Sequence, residues 1–321
     1  VGEASLGNKV GNKALLYGAI AGTIPDLDII ANYFTDTITA TEWHRGFSHS
    51  IFFCVLLSPI LGVLVNKLER KYQLGWKPWT MLFFWCLFTH PLLDAFTTWG
   101  TQLFWPFETR LAFNSIFVID PLYTVPFLFL TLLVLFYNRD SKTRRRLNRA
   151  GLIISTAYLL LTLVIKQVVN QKFEQALQAQ GIAYQAISTR PSPMNTVLWN
   201  ANIDTEDSYL LGDYSFFDSA PIRFTAYLKN RSASEEMMEY PNVKRLITIA
   251  EGWYIIEQKD GAWYFNDLRF GLIPRKQGDP YFAFSYKLGR DKGQIVAEEV
   301  SKTRGDAQYL IQSLWARIKG I

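Results

Sequence analysis

The sequence predicts an α-helical membrane bundle of about five spans followed by a small extracytoplasmic α+β domain. Three observations carry that expectation. Long uncharged apolar runs recur in the first half of the chain and stop near residue 170. Residues 1–171 hold 15 Lys/Arg against 10 Asp/Glu, whereas residues 172–321 hold 18 of each. The whole formal charge of +5 therefore sits in the more apolar half. Strand-like alternation and turn signals begin only after about Gln171.

The averages conceal this division. Hydrophobic content of 49% excludes a disordered chain, and 2 Cys and 20 Gly exclude a disulfide-stapled or collagen-like one. A positive balance suits a nucleic-acid binder in general. Here the basic residues cluster between apolar runs, which is the pattern of membrane loops, so no nucleic-acid partner is expected.

The spans are justified in order. Leu15 to Phe34 is the weakest, because Asp26 and Asp28 interrupt it. Phe47 to Asn66, Pro78 to Leu93, Pro121 to Asn138 and Ala150 to Ile165 contain no Asp, Glu, Lys or Arg. Each supplies most of the roughly 20 apolar residues that a spanning helix needs. Lys67, Arg70, Lys71 and Lys77 follow the second span. Arg139, Lys142, Arg144, Arg145, Arg146 and Arg149 precede the fifth. The positive-inside rule places both loops in the cytoplasm, with the C-terminal domain outside. Val1 to Lys13 has neither the pattern of a signal peptide nor a cleavage site, so the first span is expected to serve as its own insertion signal. Cys54 and Cys86 fall inside spans and read as free packing residues.

The domain reading is 1–171 for the membrane part, 172–192 for a helical stalk or linker, and 193–321 for the α+β domain. In the last part, Thr196–Ile203, Ser208–Phe217, Gly252–Gln258, Ala262–Phe270 and Tyr281–Leu288 read as strands. Lys259-Asp-Gly261 is a hairpin signal, and Arg190-Pro-Ser-Pro193 reads as a breaker. Ser232–Glu239, Val243–Glu251 and Asp306–Lys319 read as helices. No catalytic constellation stands out there. A protein partner or self-association through this domain is one expected role.

The chemistry-bearing residues sit in the first half. All three histidines, His44, His49 and His90, lie there. Asp26, Asp28, Asp94 and Asp120 fall at the same expected end of the spans. Ionisable groups inside apolar segments are costly, so a cluster of them is a functional candidate, although any single one can be a structural contact. His90 and Asp94 are four residues apart and share a helix face, a common half-site for a divalent metal. Asp26 and Asp28 diverge on an ideal helix, but Pro25 can break it and let both point inward. Arg45 is either a cation for a phosphate oxygen or a headgroup anchor. The aromatic run Phe104-Trp105-Pro106-Phe107 reads as an interfacial belt or as the wall of a substrate cleft.

The motifs PDLD, HRGFSHS and HPLLDAFTTWGTQLFWPF together resemble the YdjM-like, LexA-regulated family of inner-membrane metal-dependent hydrolases. That family is distantly similar to the zinc-dependent phospholipase C and nuclease superfamily. The resemblance covers roughly residues 1–170. It implies Asp26, Asp28, His49, His90 and Asp94 as metal positions, His44 as a further one, and Zn²⁺ as the ion, in one or more copies. The expected reaction is hydrolysis of a lipid or lipid-linked phosphoester at the outer leaflet, with Asp120 or another carboxylate as base and Arg45 beside the phosphate. A lipid amidase or deacylase on the same site, and a non-enzymatic metal or lipid carrier, are the alternatives.

Overall fold

The computed structural model describes residues 1–291, 294–300 and 307–321. It divides into two units. The first comprises residues 1–34, 43–164 and 193–195, and the second residues 35–42, 165–192 and 196–321.

The first unit opens with α1 (Gly2–Val10) and α2 (Asn12–Thr23), joined at Gly11, whose φ of 64° only glycine adopts without strain. Pro25 lacks an N–H and stops the α-helix. The chain continues, bent by 42°, as a 3₁₀ helix over Pro25–Tyr33. Residues 35–42, with most of α3 (Thr37–Trp43), belong to the second unit, and the first resumes with a 3₁₀ turn over Phe47–His49, α4 (Ile51–Leu68) and α5 (Trp76–Asp94). Ser50 caps α4 by accepting from the Phe53 amide at 3.0 Å. Leu6, Val10, Ala14, Cys54, Val65 and Trp79 contribute to one core with Leu82, Phe83 and Leu87. Cys54 and Cys86 are free and buried. Gly62 sits so close to Thr80 that a Cβ would meet its backbone nitrogen at 2.7 Å, which lets α4 and α5 approach closely. α6 (Pro121–Val134) and the long α7 (Lys142–Ala179) follow.

The five-span bundle does not survive this description. Among the described residues, two helices are long and apolar enough to cross a membrane, α4 and α7, or three if α2 and its bent 3₁₀ continuation form one span. α6 has 14 residues; at about 1.5 Å per residue it falls short of a hydrocarbon core about 30 Å thick. α5 includes Lys77, Thr80, Thr89, His90, Pro91 and Asp94, which dilute its apolar character. The chain as a whole is an α+β protein with two antiparallel sheets.

In the second unit, β1 (Ala186–Pro191), β2 (Leu198–Asp204), β3 (Ser208–Ser215) and β4 (Phe224–Leu228) form one antiparallel meander. α8 (Arg231–Met238) and α9 (Pro241–Ile249) lead to a second one, made of β5 (Tyr254–Lys259), β6 (Ala262–Ile273), β7 (Tyr281–Asp291) and β8 (Gln294–Glu299). α10 (Ala307–Ile318) closes the chain, and Asp306 of the expected helix lies outside the described residues. The Asp260-Gly261 hairpin has positive φ at both positions, as its tight turn requires. Residues 172–179 do not stand apart as a stalk. They continue α7, and Val169, Phe173 and Leu177, spaced by four, pack fully buried against Trp199, Ala201 and Ile203 of β2. Arg190-Pro191, read as a breaker, ends β1 at the sheet edge, where proline is tolerated.

Candidate metal centre

The first unit gathers its histidines and carboxylates at one place. The 3₁₀ helix after Pro25 supplies Asp26 and Asp28, the Phe47–His49 turn supplies His49, and the last turn of α5 supplies His90 and Asp94. One donor atom from each of Asp26, His49, His90 and Asp94 lies within 4.8 Å of all the others. Asp26 Oδ1 is 3.4 Å from His49 Nε2 and 3.3 Å from His90 Nε2. Asp94 Oδ2 is 3.3 Å from both of those nitrogens.

These separations test whether a metal fits. A tetrahedral ion with bonds of about 2.0–2.1 Å sets its ligand atoms about 3.3 Å apart. Among the described residues, His49 Nε2, His90 Nε2 and Asp94 Oδ2 are also buried without a hydrogen-bond partner. Buried polar atoms are rarely left so, and three converging on one point form a cradle for a cation. Burial by itself would push the His49 imidazole towards neutrality. The carboxylates of Asp26, Asp28 and Asp94 outweigh it and raise its pKa to about 10. The pocket is thus rich in negative charge and attracts a positive ion.

A surrounding layer orients these groups. Asp28 Oδ2 lies 3.3 Å from His49 Nδ1, while its Oδ1 lies 3.1 Å from His44 Nδ1. The Arg45 amide and the Ser48 hydroxyl donate to Asp28 Oδ2 at 2.8 and 3.1 Å. Asp26 and Asp28 therefore grip the two nitrogens of one imidazole. Arg45 has a φ of 56°, a strained value for a residue with a Cβ. Its Nε is 3.2 Å from Asp94 Oδ2, and its Nη1 donates to Thr97 at 2.7 Å. At 7% exposure it cannot be a headgroup anchor.

Not every residue singled out in the sequence joins the cluster. His44 lies one layer out, against Trp99 with ring centres 5.6 Å apart. Asp120 caps α6, accepting from the Leu122 amide at 2.8 Å and from the Tyr158 hydroxyl at 2.9 Å, and none of these partners belongs to the cluster. Sequence reasoning missed Ser48 and Arg110, whose guanidinium holds the His44 carbonyl at 3.0 Å. Ser48 could have been noticed as the polar neighbour of His49. Arg110 depends on a tertiary contact.

The chain matches the YdjM inner membrane protein family over residues 2–169. It belongs to that family. It is also 34% identical over 102 residues to the inner membrane protein YbcI of Escherichia coli (strain K12), a match that covers 31% of this chain. The chain spans 57% of the length of that relative. No solved structure matches it. The family segment contains all four converging residues and ends within α7, so the sheets lie outside it.

Proposed function

We propose that this YdjM-family protein is a metal-dependent hydrolase acting on a lipid or lipid-linked phosphoester at the outer face of the bacterial inner membrane. The observation that carries this reading is the convergence of Asp26, His49, His90 and Asp94, with three buried donor atoms that lack a hydrogen-bond partner among the described residues. A set of two imidazoles and two carboxylates suits zinc or a similar borderline ion better than calcium or magnesium. When bound, such an ion acidifies a water molecule and polarises the scissile group.

The residues of the chain divide the remaining work. The Ser48 hydroxyl, 2.9 Å from His49 Nδ1, and Asp28 behind it engage that nitrogen and so present Nε2 to the ion. Arg45 fixes Asp94 and adds positive charge beside the place where a phosphoryl oxygen would arrive. The Asp26 side chain is 51% exposed, so the site opens to solvent there, and its second oxygen can take a proton from the attacking water. Leu27, Ile29, Ile30 and Tyr33, on the same 3₁₀ helix, and Phe34 just after it are exposed apolar groups suited to an acyl chain or a bilayer surface.

Orientation rests on the two spans themselves. α4 begins beside the cluster and ends at Leu68, with Lys67 in its last turn and Arg70 and Lys71 beyond. α7 begins in the basic run from Arg139 to Arg149 and ends in the second unit. By the positive-inside rule, this charge pattern supports a reading with the basic ends in the cytoplasm and the cluster outside.

The test is metal analysis of the purified chain, combined with product analysis on phospholipid vesicles. Bound metal that is lost in His90→Ala and Asp94→Ala, with helicity retained, and metal-dependent release of a phosphorylated headgroup are the expected results. Release of fatty acid would select the deacylase reading. A chain that binds no metal at micromolar zinc would end the hydrolase proposal.

A further inference from the structure

The second unit takes in a piece of chain that runs between residues of the metal centre. Asp26 and Asp28 come before it, His44, Arg45 and His49 come after it, and all five belong to the first unit. Residues 35–42 belong to the second. The chain thus leaves the first unit after two carboxylates of the centre and returns at Trp43, one residue before His44.

This excursion is an ordered helix with a specific fastening. Asp36 caps α3, accepting from the Ile38 and Thr39 amides at 3.1 Å each. Ile38 and Ala40 are buried. Arg245 of α9 fastens the other end. Its Nε and Nη2 donate to Glu42 Oε1 and Oε2 at 2.8 and 2.7 Å, and Nη2 donates to Thr39 Oγ1 at 2.8 Å. A two-pronged pair of this kind fixes direction as well as distance. α9 is itself anchored, because Val243, Leu246 and Ile249 are buried.

The chain just beyond Glu42 is strained. Arg45 holds its positive φ while its amide donates to Asp28 and its guanidinium reaches Asp94 and Thr97. A residue with a Cβ keeps such a conformation only where its surroundings over-determine it. Asp28, Asp94 and Thr97 do so from one side. Three residues back along the chain, Glu42 in the grip of Arg245 does so from the other.

We propose that Arg245 is a positioning residue for the metal centre, holding the end of α3 through Glu42 so that Arg45 meets Asp28 and Asp94 in register. The proposal deepens the metal-centre reading and rests on it. It gives α9, outside the family segment, a part in the centre without adding a donor atom.

Two readouts on the full chain in detergent test it. One is hydrogen exchange of residues 43–49 without metal. The other is Co²⁺ affinity, followed by visible absorption in competition with a chelator. Arg245→Ala should speed that exchange about tenfold, as the loss of hydrogen bonds to a charged group does. It should also weaken Co²⁺ binding by roughly tenfold, the lower end of what losing an orienting partner costs. Arg245→Lys keeps the charge without the fork and should recover only part of both. The reversed pair, Glu42→Arg with Arg245→Glu, should recover more than either single change. Lys244→Ala removes an exposed ion pair with Glu239 from the same helix and should move neither readout. Should Arg245→Ala fail to fold, Arg245→Lys carries the same comparison. A wild-type chain that takes up no Co²⁺ would overturn the metal-centre reading and this proposal with it. Wild-type binding with undiminished affinity in the Arg245 variants would overturn this proposal alone. Faster exchange without a loss of affinity would overturn it too, because the ion pair would then serve only the stability of α3.

Discussion

The side chain that organises the centre is Asp28, although it is not among the four converging donors. Its two oxygens reach His44, His49, Ser48 and the Arg45 amide. A carboxylate on the far nitrogen of a metal-binding imidazole fixes ring orientation, and its loss typically costs 10- to 100-fold in affinity. Asp28→Asn should therefore weaken zinc binding by roughly that factor, while His90→Ala, which removes a donor, should cost more. Competition with a chelator of known affinity measures both, and equal losses would show that Asp28 is itself a ligand. The residue types and their spacing were legible in the sequence because His and Asp are conspicuous inside apolar runs. Their division into two layers was not. That division depends on the 3₁₀ helix after Pro25, which sends Asp26 and Asp28 to opposite nitrogens of His49.

At the scale of elements, two ion pairs hold helix ends in place. Glu3 of α1 and Arg144 of α7 form a buried bidentate pair at 2.7 and 2.6 Å, and Arg144 Nη1 also donates to Asn12 and to the Tyr137 carbonyl. Breaking such a pair from one side leaves an uncompensated buried charge and costs about 3–5 kcal/mol. Glu3→Ala should lower thermal stability by that order, and the double variant Glu3→Ala with Arg144→Met should recover part of it. In the second unit, Arg317 of α10 bridges Asp213 and Asp218. Burial alone would raise the Asp218 pKa, but Arg317 and the Ser215 amide prevail and hold it below its ordinary 3.8. A carboxylate depressed on folding stabilises above its unfolded pKa, and that contribution fades as pH falls through the lower folded value. Docking of α10 should thus weaken below about pH 4, and Asp218→Asn should flatten that dependence in hydrogen exchange of residues 307–318. Elements with a strong local pattern, such as β3, β6 and the Asp260-Gly261 turn, could be read from the chain. β1, β4 and β8 could not, because β1 ends in proline, β4 has five residues, and β8 is largely exposed.

For the whole molecule, the quantity to test is orientation. The sequence reading draws it from five spans, whereas among the described residues two helices, or three with the bent pair, are long and apolar enough to cross a membrane. The proposed orientation keeps its support from α4 and α7 alone, since each joins a basic end to an end with little positive charge. Arg144 adds little to that bias, being buried against Glu3, but Arg145, Arg146 and Arg149 still flank it. Cysteine labelling can decide the matter directly, because the two native cysteines are buried and should give little background. Thr143, at the start of α7, and Gln277, in the loop between β6 and β7, are both exposed. With the outer membrane permeabilised and the inner membrane intact, an impermeant maleimide should modify Gln277→Cys. Thr143→Cys should react only after the inner membrane is broken. The reverse pattern would put the second unit in the cytoplasm and move the proposed hydrolase to the inner leaflet. Labelling of both positions in intact spheroplasts would mean that α7 does not span the membrane, and that its apolar half is buried against other protein instead.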